Sequence, residues 1–310
     1  WVALVVIAAP AAQAAFPAPA RAAKAMAATA SPHATDAALE ILEDGGNAVD
    51  AAIAAAFVIS VVNPFDAGIG GGGFAVVHLA THADRPAVTR ALDFRERAPA
   101  AATRDMYLGD DGKVVPGLSL DGHKSVAVPG TVAGLLELHK AHGRMPWRLL
   151  LKPAIDLARH GFVINQEWVD SFEYRKEVLS RFDATRAAFM KRDATGAQVP
   201  LALGDSLRQR DLARTLQEIA RNPRAFYEGS VAQAIVLEMQ RGGGLISADD
   251  LRAYKPTWRE PLCAAWRGLE LCTMPPPASG GVALFEMLRL LDGTELRALG
   301  WHHPDALHRL

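Results

Sequence analysis

The stretch "AGIGGGGFAVVHL", Ala67 to Leu79, constrains the fold more than any other part of the chain. Its Gly68-x-Gly70-x-x-Gly73 spacing matches a dinucleotide-binding fingerprint. That fingerprint works only when the glycines leave a strand and open a helix, so that the helix N-terminus meets a pyrophosphate. Here the polarity is reversed. Upstream, "NAVDAAIAAAFVISVV" (Asn47 to Val62) predicts a buried helix, small or apolar almost throughout, with Asn47 and Asp50 at capping-box spacing. Downstream, "FAVVHL" (Phe74 to Leu79) is short and β-branched and reads as a strand. Helix, glycines, strand speaks against a nucleotide cradle and leaves the glycines in need of another role.

The rest of the chain places that unit in a mixed fold. "SPHATDAALEILEDGG" predicts a helix stopping at Gly45-Gly46, just before the Asn47 helix. "FAVVHL" and "AVTRALDFRERAP" (Ala87 to Pro99), joined by the turn-like "ATHADRP", read as adjacent strands. From Thr131 helices dominate: "TVAGLLELHKAHG" and "WRLLLKPAIDLARHG", with Gly143 and Gly161 as stops, a helix after Asp205, and "SVAQAIVLEMQRGGG". Ser247 and Asp250 form a second capping box in "ISADDLRAY". Then "EPLCAAWRGLELC" predicts a tight hairpin around Arg267-Gly268, with Trp266 facing Leu269 and Cys263 facing Cys272 on a non-hydrogen-bonded pair. The two cysteines can form a cross-strand bridge or stay as unpaired thiols, because spacing does not report their separation. With no repeat and no second linker, the pattern is α+β or layered α/β in one domain.

Charge and the N-terminus narrow the partners. A formal charge of −1 and a pI near 6.9 leave no basic field for nucleic acid or an anionic membrane. The most basic segment, "DSLRQRDLARTLQEIARNPRAF", puts Leu212, Leu216 and Ile219 on one helical face and its arginines mostly elsewhere, which is a solvated amphipathic helix. "WVALVVIAAPAAQAAFPAPARAA" opens on an apolar run too short to span a bilayer, which reads either as the end of a secretory signal, with Ala12-Gln13-Ala14 at signal-peptidase spacing, or as a buried Ala-rich helix. The expectation is a partial signal peptide and linker over residues 1–24, a folded part over residues 25–310, and a periplasmic or secreted protein.

Motifs for metal or serine chemistry are missing: no H-E-x-x-H, no G-x-S-x-G, and no metal spacing of cysteines. His302, His303 and His308 do not share a helical face and read as surface histidines, and Ser279 in "PPPASGG" reads as a loop residue without a base. The residue of interest is Arg95. In "LDFRERAP", Leu92 and Phe94 face one way and Asp93, Arg95 and Arg97 the other. On periodicity alone Arg95 is a solvent-facing arginine in a salt bridge; a guanidinium at a strand end can also hold a carboxylate bidentately.

Five blocks, in order, resemble the γ-glutamyltranspeptidase family: "DGGNAVDAAIAAAFVISVVNPFDAGIGGGGFAVVHL", "DFRERAP", "VPGTVAGLLELHKAHGRMPWRLLLKPAIDLARHGF", "GGGLISADDLRAYKP" and "MPPPASGG". The resemblance runs from about residue 25 to the end and implies the four-layer αββα sandwich of N-terminal-nucleophile hydrolases, incomplete in this chain. It implies that a precursor cleaves itself and that the freed N-terminal Thr of the small subunit attacks a γ-glutamyl amide, with no cofactor. It makes the glycine run architectural, a place where any Cβ would intrude on neighbouring backbone. It assigns Arg95 to the α-carboxylate of the glutamyl group and transfers no role to Glu96 or Arg97.

The implied partners are glutathione or other γ-glutamyl compounds, acceptor amino acids, peptides or water, and the protein's own small subunit. The catalytic Thr of a Thr-Thr-His-type motif is expected beyond Leu310, since Thr273 and Thr294 lie in unrelated contexts. The small-subunit carboxylate that binds the α-amino group and the oxyanion-hole glycines are expected there too. A glutaryl (cephalosporin) acylase of the same family, or an inactive fragment acting as a binding module, are the competing readings.

Overall fold

A computed structural model describes residues 19–81, 86–294, 296–300 and 302–309. The apolar N-terminal run, with Ala12-Gln13-Ala14, lies outside the described residues. No helix among the described residues is long and apolar enough to cross a membrane.

Helix α1 (Pro32–Glu43) and helix α2 (Ala48–Val62) form the first hairpin, turned at Gly45, whose φ of 92° suits a residue without Cβ. The Asn47 capping box is present in full: Asn47 Oδ1 accepts from the Val49 and Asp50 amides, and the Asp50 carboxylate accepts from the Asn47 amide. Ile53, Ala54, Phe57, Val58 and Val61 are fully buried, so α2 is the axis of the core, which explains its almost continuous apolar sequence.

Strands β1 (Phe74–Leu79) and β2 (Val88–Asp93) pair antiparallel with Phe74 opposite Asp93. Beyond a long loop, α3 (Thr131–His142) and α4 (Trp147–Leu150) follow, then α5 (Lys152–His160). The single helix expected over "WRLLLKPAIDLARHG" is thus two, because Pro153 lacks the amide to continue the ladder and serves instead in the first turn of α5. Helices α1, α3 and α5 surround α2.

The middle of the chain adds β3 (Phe162–Val163), α6 (Gln166–Leu179), α7 (Asp183–Phe189), β4 (Met190–Arg192), β5 (Gln198–Pro200) and β6 (Ser206–Leu207). Phe65, after α2, packs against Trp168 and Phe172 of α6 and Phe189 of α7, ring centroids 5.1 to 6.1 Å apart. The amphipathic helix expected after Asp205 is α8 (Arg210–Arg221), with Leu216 and Ile219 buried. Then come α9 (Ala225–Glu228), α10 (Ser230–Gly242) and α11 (Ala248–Ala253), the last opened by the complete Ser247–Asp250 capping box.

β7 (Thr257–Arg259) returns to pair with β2, giving one three-stranded sheet in the order β1-β2-β7. β8 (Leu262–Trp266) and β9 (Leu269–Thr273) form the expected hairpin in the expected register, Trp266 opposite Leu269 and Cys263 opposite Cys272. Arg267 and Gly268 both have positive φ, 49° and 81°, as a two-residue type I′ turn requires. The cysteines are bonded, with Cα atoms 4.1 Å apart. Helices α12 (Gly280–Leu290), α13 (Leu296–Leu299) and α14 (Pro304–Arg309) complete the described α+β chain.

Closing a loop of this size removes unfolded-chain entropy equivalent to about 2–3 kcal/mol. The Cys263→Ala/Cys272→Ala protein is therefore expected to melt several degrees below wild type, and an unchanged midpoint would show that the bridge leaves the fold's stability untouched.

Candidate active-site arginine and its support

The backbone around Arg95 is set by the glycine run. Gly73 and Phe94 exchange backbone hydrogen bonds, Gly73 N to Phe94 O at 3.3 Å and Phe94 N to Gly73 O at 3.0 Å, extending the β1–β2 ladder by one pair. A Cβ on Gly72 would lie 2.6 Å from the Phe94 carbonyl oxygen and 2.8 Å from the Glu96 amide nitrogen, and one on Gly73 would lie 2.9 Å from the Phe94 ring. At Gly72 the obstacle is backbone, which cannot swing aside. Gly72 and Gly73 are thus there for close approach, as expected, whereas a Cβ on Gly70 would meet nothing within 4 Å and one on Gly68 only the Gly70 amide nitrogen at 3.9 Å.

The same turn also receives the N-terminus of α3. Gly71 O accepts from the Gly130 and Thr131 amides at 2.7 and 3.0 Å, and Thr131 Oγ1 donates to Gly68 O at 3.0 Å. Orphan amides at a helix start are thereby satisfied by the glycine turn.

The strand read from Ala87 to Pro99 is shorter than its alternation suggested. β2 ends at Asp93, the ladder at Phe94, and Arg97 pairs instead with Val128 across the long loop. Asp93 does not share the exposure of Arg95 and Arg97: it is 8% exposed, and its Oδ2 accepts from Arg259 Nε and Nη2 at 2.9 and 2.7 Å.

Between the ladder and the Arg97 bridge, the Arg95 peptide is held by side chains. Its amide donates to Asp93 Oδ1 at 3.0 Å, and its carbonyl accepts from the Tyr254 hydroxyl at 2.8 Å. Tyr254 is 3% exposed and stacks on Tyr227, with centroids 6.0 Å apart. Burial holds both phenols well above their ordinary pKa, so each remains a hydrogen-bond donor. The hydroxyl of Tyr227 donates to Pro129 O at 3.1 Å.

The Arg95 side chain is, by contrast, uncommitted. It is exposed, its guanidinium carbon lies 6.0 Å from the centre of the Phe74 ring, and among the described residues no carboxylate pairs with it. Arg97 is engaged, donating to Thr257 Oγ1 at 3.0 Å and lying over the Tyr254 ring at 5.5 Å. A guanidinium on a fixed backbone with no internal acid is equipped to take an external carboxylate through its planar fork.

The other sequence candidates gather elsewhere. Ser279 is exposed beside the start of α12, and its side chain makes no cap hydrogen bond. Thr273 ends β9, and Thr294 donates to Leu291 O at 2.6 Å. His302, His303 and His308 are exposed near the C-terminal end, and among the described residues no group of three acidic, His or Cys side chains is placed to hold a metal ion. Tyr254, Asp93 and Arg259 were not legible as support for Arg95. Tyr254 follows a recognisable capping box, yet nothing local ties it to a residue 159 positions away.

An α+β body whose glycine turn seats a strand-end arginine has the fold of the N-terminal-nucleophile hydrolase class. The crystal structure of Helicobacter pylori γ-glutamyltranspeptidase superimposes with a TM-score of 0.87 and 38% identity, covering 94% of this chain and 81% of that one. A family model described as Gamma-glutamyltranspeptidase matches residues 34–310. The glutathione hydrolase proenzyme of Escherichia coli (strain K12) is 40% identical over 291 residues, 93% of this chain and 48% of its own length. That of Pseudomonas aeruginosa is 41% identical over 274 residues, covering 86% and 46%. The chain belongs to the γ-glutamyltranspeptidase family, and it spans about half the length of the curated relatives it matches.

Proposed function

We propose that the parent protein is a periplasmic or secreted γ-glutamyltransferase and glutathione hydrolase, with Arg95 holding the α-carboxylate of the γ-glutamyl donor. The observation that carries this reading is the exposed Arg95 guanidinium, free of carboxylate partners among the described residues, on a peptide fixed through its own amide and carbonyl. The Cys263–Cys272 bridge supports an oxidising compartment.

The nucleophile is proposed to be the N-terminal Thr of a small subunit encoded after Leu310 and freed by self-cleavage. Its hydroxyl attacks the γ-amide carbon while its own amine takes the proton. The amide C–N bond breaks, and the amine leaves with that proton. Water then opens the resulting ester to release glutamate, or an amino acid or peptide amine opens it to form a new γ-glutamyl amide. The part of this chain is to bind and orient the donor, which keeps the reacting carbonyl at the nucleophile.

The test is release of nitroaniline from γ-glutamyl-p-nitroanilide, with glycylglycine as acceptor, by the processed parent and by residues 1–310 alone. Turnover is expected from the parent, and only the buffer rate from residues 1–310. Activity in the latter would place the nucleophile within this chain; an inactive processed parent would overturn the reading altogether.

A further inference from the structure

The peptide that carries Arg95 is tethered in an unusual way for a residue so close to a sheet. The last ladder pair is Gly73–Phe94, and the next backbone pair is Arg97–Val128. Arg95 lies between them, and both of its main-chain groups go to side chains rather than to a neighbouring strand. Its amide is held by Asp93, whose carboxylate is itself gripped by Arg259 from β7. Its carbonyl is held by Tyr254, from the end of α11.

We infer that Tyr254 is a positioning residue for Arg95: its hydroxyl on the carbonyl, together with the Asp93–Arg259 pair on the amide, sets the direction in which the guanidinium leaves the backbone. This rests on the reading of Arg95 as the carboxylate clamp.

The packing beside this contact is close. A Cβ on Gly130 would lie 2.2 Å from the Tyr254 hydroxyl and 2.0 Å from Phe94 O, so only glycine there lets the phenol reach the Arg95 carbonyl. A Cβ on Gly72 would likewise lie 3.0 Å from the Arg95 carbonyl carbon. Two Cβ-free positions thus lie against the Phe94–Glu96 backbone, with the phenol as the tether on the Arg95 carbonyl. The ring is fixed independently, by stacking on Tyr227 and by Arg97 above it. Tyr227 has its own acceptor at Pro129, so the stacked pair divides its two donors between two different segments. Removing only the Tyr254 hydroxyl keeps these ring contacts and releases the Arg95 carbonyl. A long, flexible side chain magnifies a small rotation of its peptide, and a bidentate contact tolerates little misalignment.

The experiment uses the processed full-length enzyme and γ-glutamyl-p-nitroanilide as donor, with Tyr254→Phe, Arg95→Ala and the double variant. Tyr254→Phe is expected to raise KM about tenfold, the worth of one well-placed hydrogen bond, with kcat within about twofold and little change in melting temperature. In the Arg95→Ala background the same change is expected to leave KM where Arg95→Ala put it, because the hydroxyl acts through the arginine. Arg259→Lys, which keeps a charge beside Asp93 and loses the fork, is expected to show the same KM-selective pattern from the amide side and carries the test should Tyr254→Phe fail to fold.

A wild-type KM in Tyr254→Phe, with Arg95→Ala impaired, overturns the inference and leaves the clamp standing. Equal losses with and without Arg95 assign the hydroxyl to folding alone and also overturn it. A wild-type KM in Arg95→Ala overturns the clamp itself, and this inference with it.

Discussion

Arg95→Ala in the processed parent is expected to lower kcat/KM for a γ-glutamyl anilide by a little over a hundredfold, the equivalent of about 3 kcal/mol for truncating one partner of a desolvated charge pair. Folding is expected to be unaffected. The guanidinium is exposed and has no carboxylate partner among the described residues, so its removal leaves no buried acid behind. Asp93 and Tyr254 hold residue 95 through its backbone, which alanine retains, and Arg259 acts on Asp93 rather than on residue 95. Arg95→Lys keeps the charge and loses the planar fork, and is expected to recover only part of the activity. Steady-state kinetics on the three proteins, with melting temperatures as the control, decide the matter: wild-type kcat/KM in Arg95→Lys would show that bidentate recognition is not used here.

The second large effect concerns the core. Asp50 is completely buried, and its carboxylate closes two ends at once. Oδ2 accepts from the amides of Asn47 at 3.0 Å, Arg144 at 3.1 Å and Met145 at 3.3 Å, and Oδ1 also faces the Arg144 amide at 3.1 Å. It therefore caps α2 and pins the turn after α3 to the same point. Asp50→Ala strips these amides of their acceptor in a site without solvent, and each orphaned group costs about 1–3 kcal/mol. A loss of about 3–5 kcal/mol follows, a large share of the roughly 5–15 kcal/mol that stabilises a typical domain. The expected result is little soluble protein, or a melting temperature lower by far more than in the cysteine double variant. Asp50→Asn keeps one acceptor oxygen and is expected to fall between. A midpoint for Asp50→Ala within a degree or two of wild type would mean that water or a shifted backbone replaces the carboxylate.

Asp50 also marks how far a sequence can be read. Its capping of Asn47 was legible, because residues i and i+3 at a helix start are brought together by helix geometry alone. Its grip on Arg144 and Met145 was not, since those amides arrive from 94 and 95 residues away. The hairpin at Arg267-Gly268 was legible for the same local reason: a two-residue turn fixes every pair that follows, including Cys263 with Cys272. Whether the two thiols were bonded needed the spacing that only the folded strands supply.

Alternation failed where the ladder stopped. Arg95 and Arg97 continued the period of β2 on paper, but Val128 and Tyr254 draw the chain off the sheet after Phe94. The wrong polarity for a nucleotide cradle, the two capped helices, the hairpin register and the order of the family's blocks were determined by the sequence itself, because each depends on neighbours a few positions apart or on order along the chain. Only the tertiary structure decided which backbone Gly72 faces, that Asp93 is buried under Arg259, and that a tyrosine 159 residues on holds the Arg95 carbonyl. Those contacts join segments that linear spacing does not relate, and they exist only once the core around α2 has closed and brought β7 back beside β2.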